Sequence, residues 1–251
     1  MKELFQSASE NLSFLLVCLV VFLGLIALAK AAEKLTKADM RRPSGARYAA
    51  FLGISAALGG VLMCLELPLF FAPGFYKLDF SELPVLITAF YFGPVAGVAA
   101  EFLKVIIKLL LKGTTTAFVG DFANFVVGCS FILPAAIVYH IRKSRKTAIA
   151  GMAVGTLILT IFGSLFNAVY LIPTFSKLFG MPLEAIVGMG QAVNPAISSV
   201  QTLVLLAVVP FNLLKGILVS TVTYLLYKRV ESVLGRLFLG SRANGAQRHA
   251  V

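Results

Sequence analysis

Polar side chains interrupt the apolar segments of this 251-residue chain at a few positions, and these are its candidates for chemistry. Asn212 and Lys215 lie three residues apart in the segment PFNLLKG, residues 210–216, so a helix that opens at Pro210 places both on one face. Together they offer hydrogen-bond donors, an acceptor and a positive charge. Because a charge inside a bilayer costs about 2.5–3.5 kcal/mol on insertion scales, we interpret the pair as ligand-binding. The alternative is a lysine that reaches the outer interface.

Three more polar residues lie within or beside apolar segments. Asn167 sits inside one segment and could either contact a ligand or join two helices by a hydrogen bond. Asp121 and Asn124 open another segment, three residues apart on one helix face. We interpret Asp121 as a capping residue that the positive end of the helix dipole favours, whereas Asn124 is a candidate ligand contact.

A charged stripe precedes these two residues. Glu101, Lys104, Lys108 and Lys112 recur at intervals of three or four residues, which places them on one helix face. We expect Glu101 to pair with Lys104 and the other lysines to reach the outer surface. A role in ligand binding or subunit contact is the alternative.

Two further patterns are candidates for recognition. The loop of residues 66–80 mixes aromatic residues, prolines and a few charges, which suits either a stiff lid over an aromatic ligand or an interfacial aromatic loop. Ala49, Gly53 and Ala57 recur every fourth residue, and such small residues let membrane helices approach closely. Their spacing leaves open whether they pack within the chain or contact another subunit.

The composition indicates which elements must position these residues. Hydrophobic residues make up 59% of the chain and charged residues 13%, and the mean hydropathy is +0.93. Soluble domains contain about 45–50% apolar and about 25% charged residues, so the chain is predicted to be an all-α integral membrane protein. The three cysteines form no CxxC pair, and neither zinc nor redox chemistry is predicted.

Seven apolar segments follow one another, the first of them additional to a core of six. Residues 173–208 form a long connection, whose apolar part Ala196–Val208 is too short to cross a bilayer and is predicted to be an interfacial or re-entrant helix. The seven segments are approximately Leu12–Ala32, Arg47–Leu65, Leu83–Phe92, Val95–Leu111, Ala117–Ile141, Thr147–Ile172 and Val209–Tyr227.

The net charge of +11 comes mainly from three basic clusters, at residues 34–47, 142–146 and 228–248. Cytoplasmic loops of membrane proteins collect Lys and Arg. Seven spans with the N-terminus outside and the C-terminus in the cytoplasm place all three clusters on the cytoplasmic side. This distribution favours membrane topology over nucleic-acid binding as the cause of the basic charge.

Catalytic and nucleotide-binding motifs are missing from the sequence. It contains no GxxxxGK[ST] phosphate-binding loop, no HExxH and no GxSxG. Its two histidines, His140 and His249, have no neighbouring metal ligands in the sequence. We therefore predict a substrate-binding membrane subunit without a metal or a cofactor, and not an enzyme.

Short patterns along residues 46–230 resemble the S components of energy-coupling factor (ECF) vitamin transporters, and in particular the riboflavin-binding S components. Each pattern is short, but their order and spacing are specific together. They are KLDFSELP (77–84), FGPVAG (92–97), EFLK (101–104), GTTT (113–116), DFANF (121–125), residues 167–173 and PFNLLKG (210–216).

The resemblance implies a six-helix domain over residues 46–230 that binds riboflavin from the outside for ATP-driven uptake. Residues 1–45 would then add an N-terminal transmembrane helix and a basic linker, and residues 231–251 a disordered cytoplasmic tail. The implied partners are a transmembrane coupling subunit and two ABC ATPases, besides membrane lipid. An S component for another vitamin or for FMN is the alternative, followed by a membrane enzyme.

The resemblance also implies roles for single residues. The flavin contacts would be Asn212, Lys215, Asn167, and Leu78 with Asp79 in the first outer loop, with Asn124 as a further candidate. The small-residue face of Ala49, Gly53 and Ala57 would dock on the coupling subunit.

Overall fold

The structure is a computed structural model that describes residues 12–36 and 45–246, and side chains as far as residue 227. Within these ranges the chain is helical apart from short loops and one hairpin of strands β1 (Leu67–Pro68) and β2 (Lys77–Leu78). The helices are α1 (Leu12–Thr36), α2 (Gly45–Cys64), α3 (Glu82–Phe92), α4 (Pro94–Lys112), α5 (Val119–Ile141), α6 (Arg145–Phe166), α7 (Ile172–Phe179), α8 (Leu183–Gln191), α9 (Val200–Leu203) and α10 (Val209–Ala246), with π-helical turns π1 (Asn167–Leu171) and π2 (Val204–Val208).

Two membrane helices contain the π-turns. One helical stretch continues through α6, π1 and α7, and the other through α9, π2 and α10. Each π-turn ends two residues before a proline, Pro173 in the first stretch and Pro210 in the second. A proline lacks an N–H group and crowds the carbonyl of the preceding turn, so a wider π-turn lets the helix continue through it.

The π-turns correct two expectations from the sequence. Ala196–Val208 is not an interfacial or re-entrant helix, because residues from Val200 onward form the first part of the last membrane helix. Pro210 therefore lies inside a helix and not in its first turn. The same helix extends to Ala246 rather than ending at Tyr227, and the remaining tail, residues 247–251, lies outside the described part of the chain.

The described helices differ in how well each could cross a bilayer. Five stretches are long and apolar enough to do so: α1, α2, α5, the stretch Arg145–Phe179 and the stretch Val200–Tyr227. Helix α4 has 19 residues but carries the charged stripe. Helix α3 has only 11 residues, about 16 Å at 1.5 Å per residue, and nearly all its side chains are buried in the centre of the bundle.

Helix α1 packs against α4 and α5 outside the six-helix core. The Phe22 ring stacks on the Phe102 ring of α4 with their centroids 4.1 Å apart, and Ala29 is fully buried. At the other end of α1, Glu33 Oε1 accepts a hydrogen bond of 3.0 Å from the backbone N–H of Val95. The first N–H groups of a helix have no hydrogen-bond partners within that helix, and the Glu33 carboxylate provides one for the first turn of α4. The architecture is a six-helix core with one additional N-terminal helix.

Candidate ligand site

A cavity of about 730 Å³ lies between the loop of residues 66–80, the α4–α5 turn, and α5, π1, α7, α8 and α10. Its volume is within the range of about 300–1,000 Å³ that is usual for small-molecule sites. Its lining joins a polar set, which includes Asp79, Asn124, Asn167, Asn212 and Lys215, to an apolar set, which includes Phe75, Tyr76, Phe175, Phe179, Met181, Ile186, Met189 and Phe211.

Five of the six predicted ligand contacts line this cavity, and Leu78 does not. Strand β2 turns its two side chains in different directions, as alternation in a strand requires. The Lys77 side chain is exposed and lines the cavity, whereas Leu78 is buried in a hydrophobic cluster with Tyr76, Val208 and Phe211. The Leu78 side chain thus packs the loop against π2 and α10.

Two of the three asparagines that line the cavity come from π1, which follows α6, and from α10. Asn167 begins π1 and donates from Nδ2 to the Gly163 carbonyl at 2.8 Å, while its Oδ1 accepts from the Tyr76 hydroxyl at 2.8 Å. Asn212 donates from Nδ2 to Ser164 Oγ at 3.3 Å. A Cβ atom on Gly163 would lie 3.0 Å from Asn212 Nδ2, so the glycine permits this close packing.

Lys215 is paired with two carboxylates from other parts of the chain. Its Nζ lies 3.1 Å from Asp79 Oδ2 and 3.0 Å from Glu82 Oε1. The Asp79 carboxylate also accepts from the backbone N–H of Ser81 at 2.9 Å. The lysine does not reach the outer interface, because only 8% of it is exposed. It is instead part of a buried ionic network that borders the cavity.

Lys104 extends this network into the bundle. Its Nζ lies 2.5 Å from Glu101 Oε1 and 3.3 Å from Glu82 Oε1, and it donates to Ser81 Oγ at 2.9 Å. The predicted Glu101–Lys104 pair is therefore confirmed. Glu82 contacts both lysines, so it links the cavity to the charged stripe of α4. Such a network holds its members in place because a charge left without its partner inside the protein is costly.

Lys108 contacts Asp121, which corrects the interpretation of Asp121 as a helix cap. The Lys108 Nζ lies 2.5 Å from Asp121 Oδ1, and the Thr114 hydroxyl donates to Asp121 Oδ2 at 2.8 Å. The residue that caps α5 is Phe118, which makes no side-chain capping bond. Asp121 lies in the first turn of α5, but its carboxylate binds the ammonium group of the neighbouring helix.

A third ionic group fastens the loop to the C-terminal end of α4. Glu66 Oε2 lies 2.9 Å from Lys77 Nζ and 2.7 Å from Lys112 Nζ, and Leu67 pairs with Leu78 in the β1–β2 hairpin. Partial burial by itself raises the pKa of Glu66. The two ammonium groups outweigh that effect and hold the pKa of this carboxyl below its usual value.

Sequence reasoning missed several residues of the site. Tyr76 is only one of several aromatic residues in the loop, and Glu82 is only one residue of the pattern KLDFSELP, so the sequence singles out neither. The apolar residues from α7 and α8 had no signal beyond the length of the connection 173–208. Among the described residues there is no group of three or more His, Cys, Asp or Glu that could hold a metal ion.

The small-residue face of α2 points away from the rest of the described chain. Ala49, Gly53 and Ala57 are exposed, and a Cβ atom on Gly53 would meet nothing within 4 Å. Two turns further along α2 the helix packs inward, and there a Cβ atom on Gly60 would lie 2.6 Å from the Ile107 side chain. Packing inside the described chain therefore does not explain the exposed small residues.

Known proteins resemble this chain in sequence and in fold. The family model for the substrate-specific component of ECF transporters matches residues 47–227, so α1 lies outside the match. The riboflavin transporter RibU of Staphylococcus aureus (strain TCH60) is 32% identical over 186 residues, which are 74% of this chain and 91% of that protein. The riboflavin transporter FmnP of Bacillus subtilis (strain 168) is 30% identical over 177 residues, 70% of this chain and 87% of that protein.

A solved structure, reported as the S component of a bacterial ECF transporter, has the same fold. It shares 32% sequence identity with a TM-score of 0.59, and the match covers 76% of this chain and 98% of that one. The matched range contains the polar residues that line the cavity. The chain therefore belongs to the substrate-specific components of ECF transporters: it is a multi-pass membrane subunit that binds a transported substrate, and not an enzyme.

Proposed function

We propose that this chain binds riboflavin in the 730 Å³ cavity and presents it for uptake. The observation that carries the proposal is that three asparagine amides and an ammonium–carboxylate pair line one cavity together with an aromatic and apolar wall. The flavin ring has an edge of carbonyls and an imide N–H, which amides can pair with, and flat faces that need apolar contacts. Relatives named as riboflavin transporters at about 30% identity support the same ligand.

We infer that Asn212, Asn167 and Lys215 contact the ligand, together with Asp79 and Asn124. In the structure, Asn167 accepts a hydrogen bond from Tyr76, and Lys215 is paired with Asp79. Riboflavin would replace some of these bonds with its own polar groups, so the buried side chains stay satisfied. A ligand that lacks matching groups would leave them unpaired, which costs roughly 1–3 kcal/mol for each buried group.

We infer that the cavity faces the outside and that the N-terminus of α1 lies on the same side. Phe14, near the start of α1, contacts Phe122 beside the cavity, whereas Glu33, near its end, meets the first turn of α4. The basic cluster at residues 142–146 lies where α5 ends and α6 begins, at the ends of those helices away from the cavity. This arrangement supports a cytoplasmic position for that end.

We infer that a transmembrane coupling subunit docks on α2, and that two ABC ATPases energise the complex. The exposed face of Ala49, Gly53 and Ala57 supports this site, because small residues let a partner helix come close. The sequence has no phosphate-binding loop of its own, so ATP hydrolysis would have to come from other subunits.

Riboflavin titration of the detergent-purified chain tests the ligand. The flavin fluorescence should be quenched in proportion to added protein and should saturate at one flavin per chain. A folded, monodisperse protein that leaves riboflavin fluorescence unchanged would contradict the proposal. The same titration with FMN as a competitor measures the selectivity.

A further inference from the structure

We propose that α1, which lies outside the family match, positions the ligand site through the contact of Phe14 with Phe122. Phe122 lies in the first turn of α5, between residues that line the cavity: Gly120, Asp121, Ala123 and Asn124. Any shift of this turn moves that part of the wall. The inference rests on the proposed function where it concerns riboflavin.

The start of α5 depends on packing to hold its position. It follows Ala117 and Phe118, whose φ angles of 43° and 68° are in the left-handed region that non-glycine residues rarely adopt. Such a conformation persists only where the surroundings enforce it. Phe14 packs on the helix turn that follows these two residues: it lies against the cluster of Val119, Ala123 and Leu171, and its ring meets the Phe122 ring edge-on with the centroids 5.5 Å apart.

Phe122 also links α1 to the second wall of the cavity. Its ring lies 6.5 Å from the Phe166 ring and 6.4 Å from the Tyr170 ring, centroid to centroid. Tyr170 belongs to π1, which begins with Asn167. The contact therefore joins α1, the first turn of α5 and the π-turn in one aromatic cluster behind the ligand site.

Helix α1 is fastened at points along its length, so Phe14 is held as part of a fixed element. Phe22 stacks on Phe102, and Glu33 binds the backbone of Val95. Phe22 provides a matched control on the same helix, because neither Phe102 nor its other aromatic neighbour Phe125 lines the cavity.

The experiment compares Phe14→Ala with Phe22→Ala in the full chain in detergent. Loss of the aromatic pair removes a stabilising contact of the first turn of α5, so Phe14→Ala should raise the riboflavin Kd about three- to tenfold. Phe22→Ala should change the riboflavin Kd less than about twofold while still lowering Tm. Phe14→Leu, which keeps apolar bulk, should fall between wild type and Phe14→Ala. A wild-type Kd in Phe14→Ala, or equal changes in Phe14→Ala and Phe22→Ala, would overturn the inference.

A second measurement does not need riboflavin. Hydrogen exchange of the backbone amides at residues 119–124 should be faster in Phe14→Ala than in wild type or Phe22→Ala, because the turn opens more often. Unchanged exchange at these amides would overturn the positioning role. If the wild-type chain binds no riboflavin, the proposed function fails, and the exchange data still decide the role of α1.

Discussion

The ammonium group of Lys215 lies 3.1 Å from the carboxylate of Asp79, across 136 residues of sequence. This pair joins the loop of residues 66–80 to α10 at the edge of the cavity. Glu82 binds the same ammonium group at 3.0 Å and continues to Lys104. An ionic network therefore holds the residues on this side of the cavity in place. Because Asp79 belongs to the loop and is paired with Lys215, a ligand that contacts either residue also affects the position of the loop.

Lys215→Met should strongly destabilise the protein. The substitution removes the lysine paired with the Asp79 carboxylate and one of the two lysines paired with Glu82. Breaking a buried ion pair lowers the free energy of unfolding by roughly 3–5 kcal/mol. Thermal unfolding in detergent measures the loss. Lys112→Met is the matched control, because its side chain is 43% exposed and such pairs contribute only about 0–1 kcal/mol. Equal losses in the two variants would contradict a buried network.

Asn212→Leu should weaken riboflavin binding about tenfold or more and leave the protein folded. The amide is buried, and its removal leaves polar groups of the ligand unpaired, at roughly 1–3 kcal/mol. Flavin fluorescence quenching measures affinity, and thermal unfolding measures stability. Thr223→Val on the same helix is the control, because Thr223 is fully buried and does not line the cavity. A packing role for Asn212 would instead appear as lost expression or a lower Tm.

Acidification should loosen the loop through Glu66. The pKa of Glu66 is lowered from 4.5, so its ion pairs contribute fully above about pH 4.5 and are lost as the pH falls through the lowered value. Hydrogen exchange at Lys77 and Leu78 should therefore be constant from neutral pH to about pH 5, after correction for intrinsic rates, and rise at lower pH. Glu66→Gln should show the raised exchange already at neutral pH. The same pH response in Glu66→Gln would count against this carboxylate as the cause.

Gly53→Leu should leave riboflavin binding unchanged and prevent assembly with the coupling subunit. The position is open, so the new side chain fits the isolated chain but blocks the close approach of a helix. Co-purification with the coupling subunit and riboflavin uptake into vesicles measure the effect. Gly60→Leu, two turns further along the same helix, should instead destabilise the chain, because its Cβ atom would lie 2.6 Å from Ile107. Normal assembly of Gly53→Leu would place the docking surface elsewhere.

The sequence alone was sufficient for properties that depend on neighbouring residues. The hydrophobic segments predict that the chain is a membrane protein and locate nearly all of its membrane helices. A segment that crosses a bilayer must be long and apolar, and both properties can be read from the sequence. Helical periodicity placed Asn212 with Lys215 and Glu101 with Lys104 on shared faces, since a pair three residues apart is set by the helix itself. The structure has both pairs on helices, with the Glu101–Lys104 contact formed.

Only the tertiary structure decided how these faces meet. Asp121 binds Lys108 instead of capping its helix, Leu78 points into the hydrophobic cluster, and Tyr76 reaches Asn167 across 91 residues. A buried polar group must find a partner, but the identity of that partner depends on which segments pack together. The π-turns before Pro173 and Pro210 also depend on tertiary packing. A proline ends a helix unless the surrounding helices support its continuation, and the sequence alone does not reveal that support.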